Sequence, residues 1–311
     1  MGRLESGKWV YGKLLPDPGE PSFKRQTQAY RSSIEPGGEF PPEIGRYHLY
    51  VSYACPWACR ALIFRNLKNL NNVISLSVVS PDMLAEGWTF EPNFPGVVGD
   101  SALAKRYLYE VYQAADPRFS GEVTVPVLFD RKTNRIVNNE SSEIIRIFNE
   151  GFNGLTGNEE DFYPAALRAE IDELNADTYP NLNNGVYAAG FAGSQDEHEA
   201  NVKKVFSCLE RLEERLEGKT YLVGERLTEA DVRVFTTLIR FDPVYHGHFK
   251  CNLKLVREYA NLKRYLAFLY RIPAFRETTH FDHIKRHYYF SHEQLNPRRL
   301  IPLGPFPLVA E

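Results

Sequence analysis

The chain is poor in cysteine, with four in 311 residues, which excludes a disulfide-stapled secreted scaffold. No pair has zinc-ligand spacing. Cys55 and Cys59 lie one helical turn apart, and Cys208 and Cys251 stand alone. Long apolar runs are also missing. None approaches the ~18–20 residues that span a bilayer, so no membrane partner is expected. Charge of one sign is not in excess either. The formal net charge of −3 leaves no overall basic footprint, and no nucleic-acid partner is expected. The first thirty residues are mixed polar, without the apolar stretch of a secretory signal. Few cysteines and no such signal fit free thiols in a reducing compartment, and the expected location is cytoplasmic.

What is present is a soluble globular composition, 43% hydrophobic and 25% charged, over a length that accommodates two domains. Residues 1–45 are rich in proline and glycine and read as an extended arm with little regular structure. From residue 46 the pattern changes. Tyr47 to Val51 reads as a strand, Trp57 to Asn69 as a helix and Val73 to Val79 as a second strand, a parallel βαβ unit. Residues 81–120 form a long polar-aromatic insertion, with helical character over 102–114. Val123 to Phe129, broken by Pro126, and Arg135 to Asn138 read as two further strands. A helix follows at Glu143 to Asn149, with a serine at its cap. Beyond residue 152 the chain reads as helices at 165–178, 197–216, 229–241 and 254–271, and the proline-rich tail from Asn296 as a non-helical wrap. Thr228-Glu229-Ala230-Asp231 is a helix-start capping box.

The chemistry concentrates at Val51-Ser52-Tyr53-Ala54-Cys55-Pro56-Trp57-Ala58. Proline is favoured at the first helical position, where its missing N–H costs nothing. Cys55 therefore sits at a helix N-terminus, where the dipole favours a thiolate nucleophile. The fourth position is alanine, so the motif cannot resolve its own mixed disulfide, and an outside thiol must complete the reaction. A lone cysteine is also commonly a small buried hydrophobe; the strand–Cys-Pro–helix setting favours the nucleophile.

The histidines are read conservatively. His246 and His248 with Cys251 fit no common metal spacing, and no metal is expected. His280, His283 and His287 read as surface residues. Cys59 and Cys208 read as packing.

The βαβ–ββα order with Cys-Pro and Val-Pro, followed by a helical half, resembles the glutathione transferases. That implies an α/β thioredoxin-like N-terminal domain at 46–152, carrying the 81–120 insertion, and an all-α C-terminal domain at 153–311. Cys55-Pro56-Trp57-Ala58 resembles, more narrowly, the glutathionyl-hydroquinone reductases, or Xi-class glutathione transferases. So do Gly87-Trp88-Thr89-Phe90, Thr124 to Leu128, Val137 to Ile144, Asn183 to Tyr187, and Arg240 to Tyr245 with the stretch to Asn252. The resemblance covers almost the whole chain.

It implies reduction of aromatic glutathionyl-hydroquinones with glutathione as co-substrate, through a Cys55–glutathione mixed disulfide, in a homodimer. It implies glutathione contacts from Trp88, Val125, Glu140 and Ser141, with a cis Val125–Pro126 bond. It also implies a hydroquinone pocket lined by Tyr187, Tyr245 and Tyr288. Read locally, each has a plainer alternative: a packing anchor for Trp88, a kinked edge strand for Val125-Pro126, a helix cap for Ser141, core or surface for the tyrosines. Rival functions are an omega-like thioltransferase or dehydroascorbate reductase, a conjugating transferase using the Ser52 or Tyr53 hydroxyl, and a non-catalytic glutathione-binding module.

Overall fold

The computed structural model describes residues 2–12 and 26–305. The chain divides into two compact units. The first contains residues 2–12, Gln26–Glu160 and Thr278–His287; the second contains Asp161–Glu277 and residues 288–305.

The first unit opens with a hairpin, β1 (Gly2–Glu5) and β2 (Lys8–Tyr11). Regular structure here corrects the reading of 1–45 as an arm with little of it. Ser6 and Gly7 both have positive φ, 47° and 76°, the requirement of a type I′ two-residue hairpin turn. Part of that arm, residues 13–25, lies outside the described residues. The hairpin packs on the insertion: Trp9 stacks on Tyr109 at 4.8 Å and donates to the Ala85 carbonyl.

The central sheet contains β3 (Tyr47–Val51), β4 (Ser75–Val78), β6 (Val127–Asp130) and β7 (Arg135–Asn138), in the order β4-β3-β6-β7. β3 and β4 are parallel, joined through α1 (Pro56–Leu67); β6 and β7 are antiparallel. β3 is buried throughout, so its five residues face packed layers on both sides. The short strand β5 (Gly121–Glu122) pairs instead with β1. The expected strand from Val123 begins only at Val127. Pro126 has no N–H to give a ladder, and the Val125–Pro126 bond is cis.

The insertion helix α2 covers Leu108–Ala115 rather than 102–114. The Asp100 carboxylate accepts from the N–H groups of Ala102, Leu103 and Lys105, which closes those residues into a turn. Glu110 then accepts from the Tyr107 N–H and fixes the later helix start. Helix α3 (Ser141–Glu150) is capped by Glu140, not by serine: the Glu140 carboxylate accepts from the Ser142 N–H at 2.9 Å. A single turn, α4 (Asn153–Thr156), follows.

The second unit contains no strand among its described residues. Its helices are α5 (Arg168–Thr178), α6 (Gly185–Gly190), α7 (Gln195–Arg215), α8 (Glu229–Arg240), α9 (Ala260–Arg271) and α10 (Pro273–Arg276). α8 is buried along its whole length. Its N-terminus is closed as the sequence indicates: the buried Asp231 carboxylate accepts from the Thr228 N–H and hydroxyl, the Leu222 N–H and the Tyr265 phenol. α11 (Phe281–Arg286) returns to the first unit. Residues 296–305 form no helix, and 306–311 lie outside the described residues.

Candidate active site

Cys55 is the N-cap of α1, with Pro56 at the first helical position. No side chain among the described residues caps this end, so the partial positive charge of the helix start falls at the cysteine. The turn before it is tight: Cys55 N–H donates to the Ser52 carbonyl at 3.2 Å, and Ala54 N–H donates to the Ser52 hydroxyl. Cys55 is half-buried, whereas Cys59, Cys208 and Cys251 are fully buried. Burial pushes the Cys208 and Cys251 thiols up to about 12, which makes them inert. Cys59 donates to the Thr278 carbonyl within the first unit. Of the four, Cys55 alone combines access with a helix N-terminus. Ser52 has no exposed surface, and Tyr53 is stacked on His280 at 3.7 Å. The Ser52 hydroxyl is thus not presented as the Cys55 thiol is.

The Cys55 thiol lies 3.7 Å from the Val125 carbonyl oxygen. Val125 is thus beside the sulfur, and its own N–H has no hydrogen bond among the described residues. Glu140 and Ser141 stand together at the start of α3. The carboxylate accepts from the Ser142 N–H and hydroxyl, with the Ser141 hydroxyl at 3.5 Å. An anion-favouring helix N-terminus and an adjacent carboxylate suit a zwitterionic amino-acid group.

Trp88 lies in the insertion, 8% exposed, and stacks on His287 at 4.8 Å between ring centres. His287 donates to the Pro81 carbonyl, Arg286 grips Asp82 with two bonds of 2.6 and 2.9 Å, and His283 donates to the Pro95 carbonyl. The stretch 283–287 therefore holds the Trp88 loop at both ends. This corrects the surface reading of His283 and His287, which are 1% and 7% exposed. Their partners lie about two hundred residues away in the chain, out of reach of any local pattern. Adjacency to the Tyr288 segment was the one available signal.

In the second unit Tyr187, Tyr245 and Tyr288 form one hydrogen-bonded triad. Tyr288 is the centre: its hydroxyl meets those of Tyr187 and of Tyr245, the latter at 3.0 Å. Tyr245 ends a π-helical turn (Phe241–Tyr245), and Tyr288 lies in another (His287–Ser291). Such turns recur at functional sites. Burial holds the Tyr245 and Tyr288 phenols well above the ordinary phenol range, so both stay protonated. The three hydroxyls thus lie within one buried hydrogen-bonded cluster. Protonated phenols are chemically able to donate to a developing oxyanion.

His248 pairs with His292 at 3.1 Å, Cys251 lies near the Phe249 carbonyl, and no metal-holding cluster occurs among the described residues.

Two family models match the chain: the glutathione S-transferase N-terminal domain at residues 54–150 and its C-terminal domain at 195–268. The chain is 49% identical to glutathionyl-hydroquinone reductase YqjG of Escherichia coli K12, over 98% of this chain and 96% of that protein. The glutathione-bound structure of YqjG superposes with a TM-score of 0.91 at 47% identity, covering 99% and 97% of the two chains. Glutathionyl-hydroquinone reductase PcpF of Sphingobium chlorophenolicum is 48% identical over 98% of this chain and 96% of its own length. The crystal structure of the glutathione-S-transferase Xi from Phanerochaete chrysosporium matches at a TM-score of 0.91 and 51% identity, covering 92% of this chain and 99% of that one. A thioredoxin-like sheet with Cys-Pro at its first helix, a helical second unit and these full-length matches agree: the chain belongs to the Xi-class glutathione transferases, the glutathionyl-hydroquinone reductases.

Proposed function

We propose that this protein reduces glutathionyl-hydroquinones to hydroquinones, with glutathione as co-substrate and Cys55 as nucleophile. The observation that carries the proposal is Cys55 at the N-terminus of α1, half-exposed and without a cysteine at position 58.

The Cys55 thiolate attacks the sulfur of the glutathionyl substituent. A Cys55–glutathione disulfide forms and the bond between that sulfur and the aromatic carbon breaks. Its electron pair stays on the ring, which takes up a proton, and the hydroquinone leaves. A second glutathione, as thiolate, attacks the mixed disulfide, releases oxidised glutathione and returns the Cys55 thiolate. One substrate and one glutathione give one hydroquinone and one oxidised glutathione, so no outside oxidant or reductant is required. Ala58 cannot intercept the mixed disulfide, which is consistent with the second glutathione.

Roles follow from the chemistry of each group. The Val125 N–H and carbonyl hold the cysteinyl part of glutathione, Glu140 its ammonium, and Ser141 with the start of α3 its α-carboxylate. Trp88 packs against the tripeptide. Tyr187, Tyr245 and Tyr288 donate to the hydroquinone oxygens and steady the leaving ring. The glutathione-binding domain is assigned to 46–152 and the helical domain to the remainder. Cytoplasmic location is supported by the four cysteines remaining free thiols. A homodimer is proposed on the family resemblance, and light scattering of the purified protein checks it.

A single-turnover experiment tests the function. One equivalent of glutathionyl-hydroquinone, with no free glutathione, is expected to release one equivalent of hydroquinone and leave a glutathione adduct on Cys55, read by intact-protein and peptide mass spectrometry. Absence of the adduct, with dehydroascorbate reduced instead, would move the assignment to the omega-like activity.

A further inference from the structure

Where the N-terminal arm resumes at residue 26, it lies along β7: Ser32 N–H donates to the Val137 carbonyl, and Asn139 N–H to the Tyr30 carbonyl. Gln28, in this segment, reaches into the sheet. Its side-chain carbonyl Oε1 accepts from the Thr124 hydroxyl at 2.9 Å and from the Asn139 amide Nδ2 at 2.9 Å. The buried Tyr112 phenol of α2 closes the same circuit. It donates to the Thr124 carbonyl at 3.0 Å and accepts from Asn139 Nδ2 at 3.2 Å. Asn139 Oδ1 in turn accepts from the Tyr30 N–H.

The two residues tied together are Thr124 and Asn139. Thr124 immediately precedes Val125, and Asn139 immediately precedes Glu140 and Ser141. The loops assigned to the cysteinyl part and to the γ-glutamyl end of glutathione are therefore joined through one acceptor atom on the arm, as well as through the Tyr112 phenol. A shared, part-buried acceptor fixes their separation more firmly than either loop could alone, because it satisfies a donor from each of them at once.

We infer that Gln28 is a positioning residue for glutathione, holding the Val125 loop and the start of α3 at the spacing the tripeptide needs. The inference rests on the assignment of Val125, Glu140 and Ser141 as glutathione ligands, and it gives the arm a function: it completes the glutathione site from outside the sheet.

The required feature is an acceptor at Oε1, not the bulk of the side chain, and this separates positioning from packing. Gln28→Met keeps the volume and loses the acceptor; Gln28→Glu keeps the acceptor for both donors. Steady-state kinetics with glutathione varied are expected to show KM for glutathione raised about five- to tenfold in Gln28→Met, the worth of about one hydrogen bond, with kcat within twofold. Gln28→Glu is expected to restore KM to within about twofold of the wild type. Hydrogen exchange of the glutathione-free protein reads the network itself: peptides containing 123–128 and 138–142 should exchange faster in Gln28→Met than in Gln28→Glu. An unchanged KM in Gln28→Met, or equal behaviour of the two variants, overturns the inference. Glu140→Gln is the parallel control. Should it leave glutathione affinity unaltered, the ligand assignment fails instead, whatever the exchange data show.

Discussion

The Cys55 thiol donates to the Val125 carbonyl oxygen across 3.7 Å. The nucleophile therefore borders the backbone proposed to hold the cysteinyl part of glutathione, where a mixed disulfide must form.

Cys55 variants separate binding from chemistry. Cys55→Ala and Cys55→Ser should lose reductase turnover by at least about a thousandfold, as removal of a covalent nucleophile does. Glutathione affinity, read by calorimetry, should change little. Alkylation by iodoacetamide should reach half its maximal rate below the ~8.5 of a free thiol, because the α1 N-terminus favours the thiolate; a midpoint at the free value removes that part of the argument.

Within the tyrosine triad the central member should matter most. Tyr288→Phe removes both hydrogen bonds, whereas Tyr187→Phe and Tyr245→Phe remove one each. The expected fall in kcat/KM for the glutathionyl-hydroquinone is about a hundredfold for Tyr288→Phe and about tenfold for either terminal variant, within the range of lost proton donors. Reduction of a simple disulfide, which releases no phenol, should be spared.

Acid should destabilise the first unit through His48. Its Nδ1 meets the Ser75 hydroxyl at 2.7 Å, Nε2 is buried without a hydrogen-bond partner among the described residues, and burial lowers the imidazole to about 4. As pH falls the unfolded chain takes up this proton first, near 6.5. The stability supplied by neutral His48 is thus fully present above about pH 6.5 and is lost progressively as pH falls to about 4, by about 3 kcal/mol at most. Urea melts from pH 7.5 to 4.5 should show this slope in the wild type and a shallower one in His48→Gln.

Asp231 holds the start of α8 with bonds from Thr228, Leu222 and Tyr265. Asp231→Ala leaves those buried donors unpaired and should lower stability by about 3 kcal/mol, seen as an earlier melting transition. Kinetic constants of the folded remainder should not move if its role is structural.

Local chemistry was legible in the sequence wherever a residue's role depends on its neighbours. Cys55-Pro56 announced its helix start because proline fits only there, and Arg135 to Asn138 formed the strand its pattern indicates. The hairpin at 2–11 was hidden by the proline and glycine that follow it, although Ser6-Gly7 between two short apolar-polar runs is a turn signal. Long-range partners were not legible. His283 and His287 look like polar points on a helix until the insertion carbonyls cover them. The three tyrosines were singled out by resemblance alone. Two of them reach the triad from π-helical turns, which no hydrophobic period encodes. The α3 cap illustrates a third limit: serine and glutamate are adjacent, and only geometry decides that Glu140 takes the Ser142 N–H.

The most direct measurement mixes purified protein, glutathione and a glutathionyl-hydroquinone, and follows hydroquinone and oxidised glutathione together by chromatography. The wild type is expected to release the two one to one, and Cys55→Ala is expected to release neither. Continued one-to-one release by Cys55→Ala, or no release by a wild-type protein that binds glutathione, would contradict the proposed mechanism.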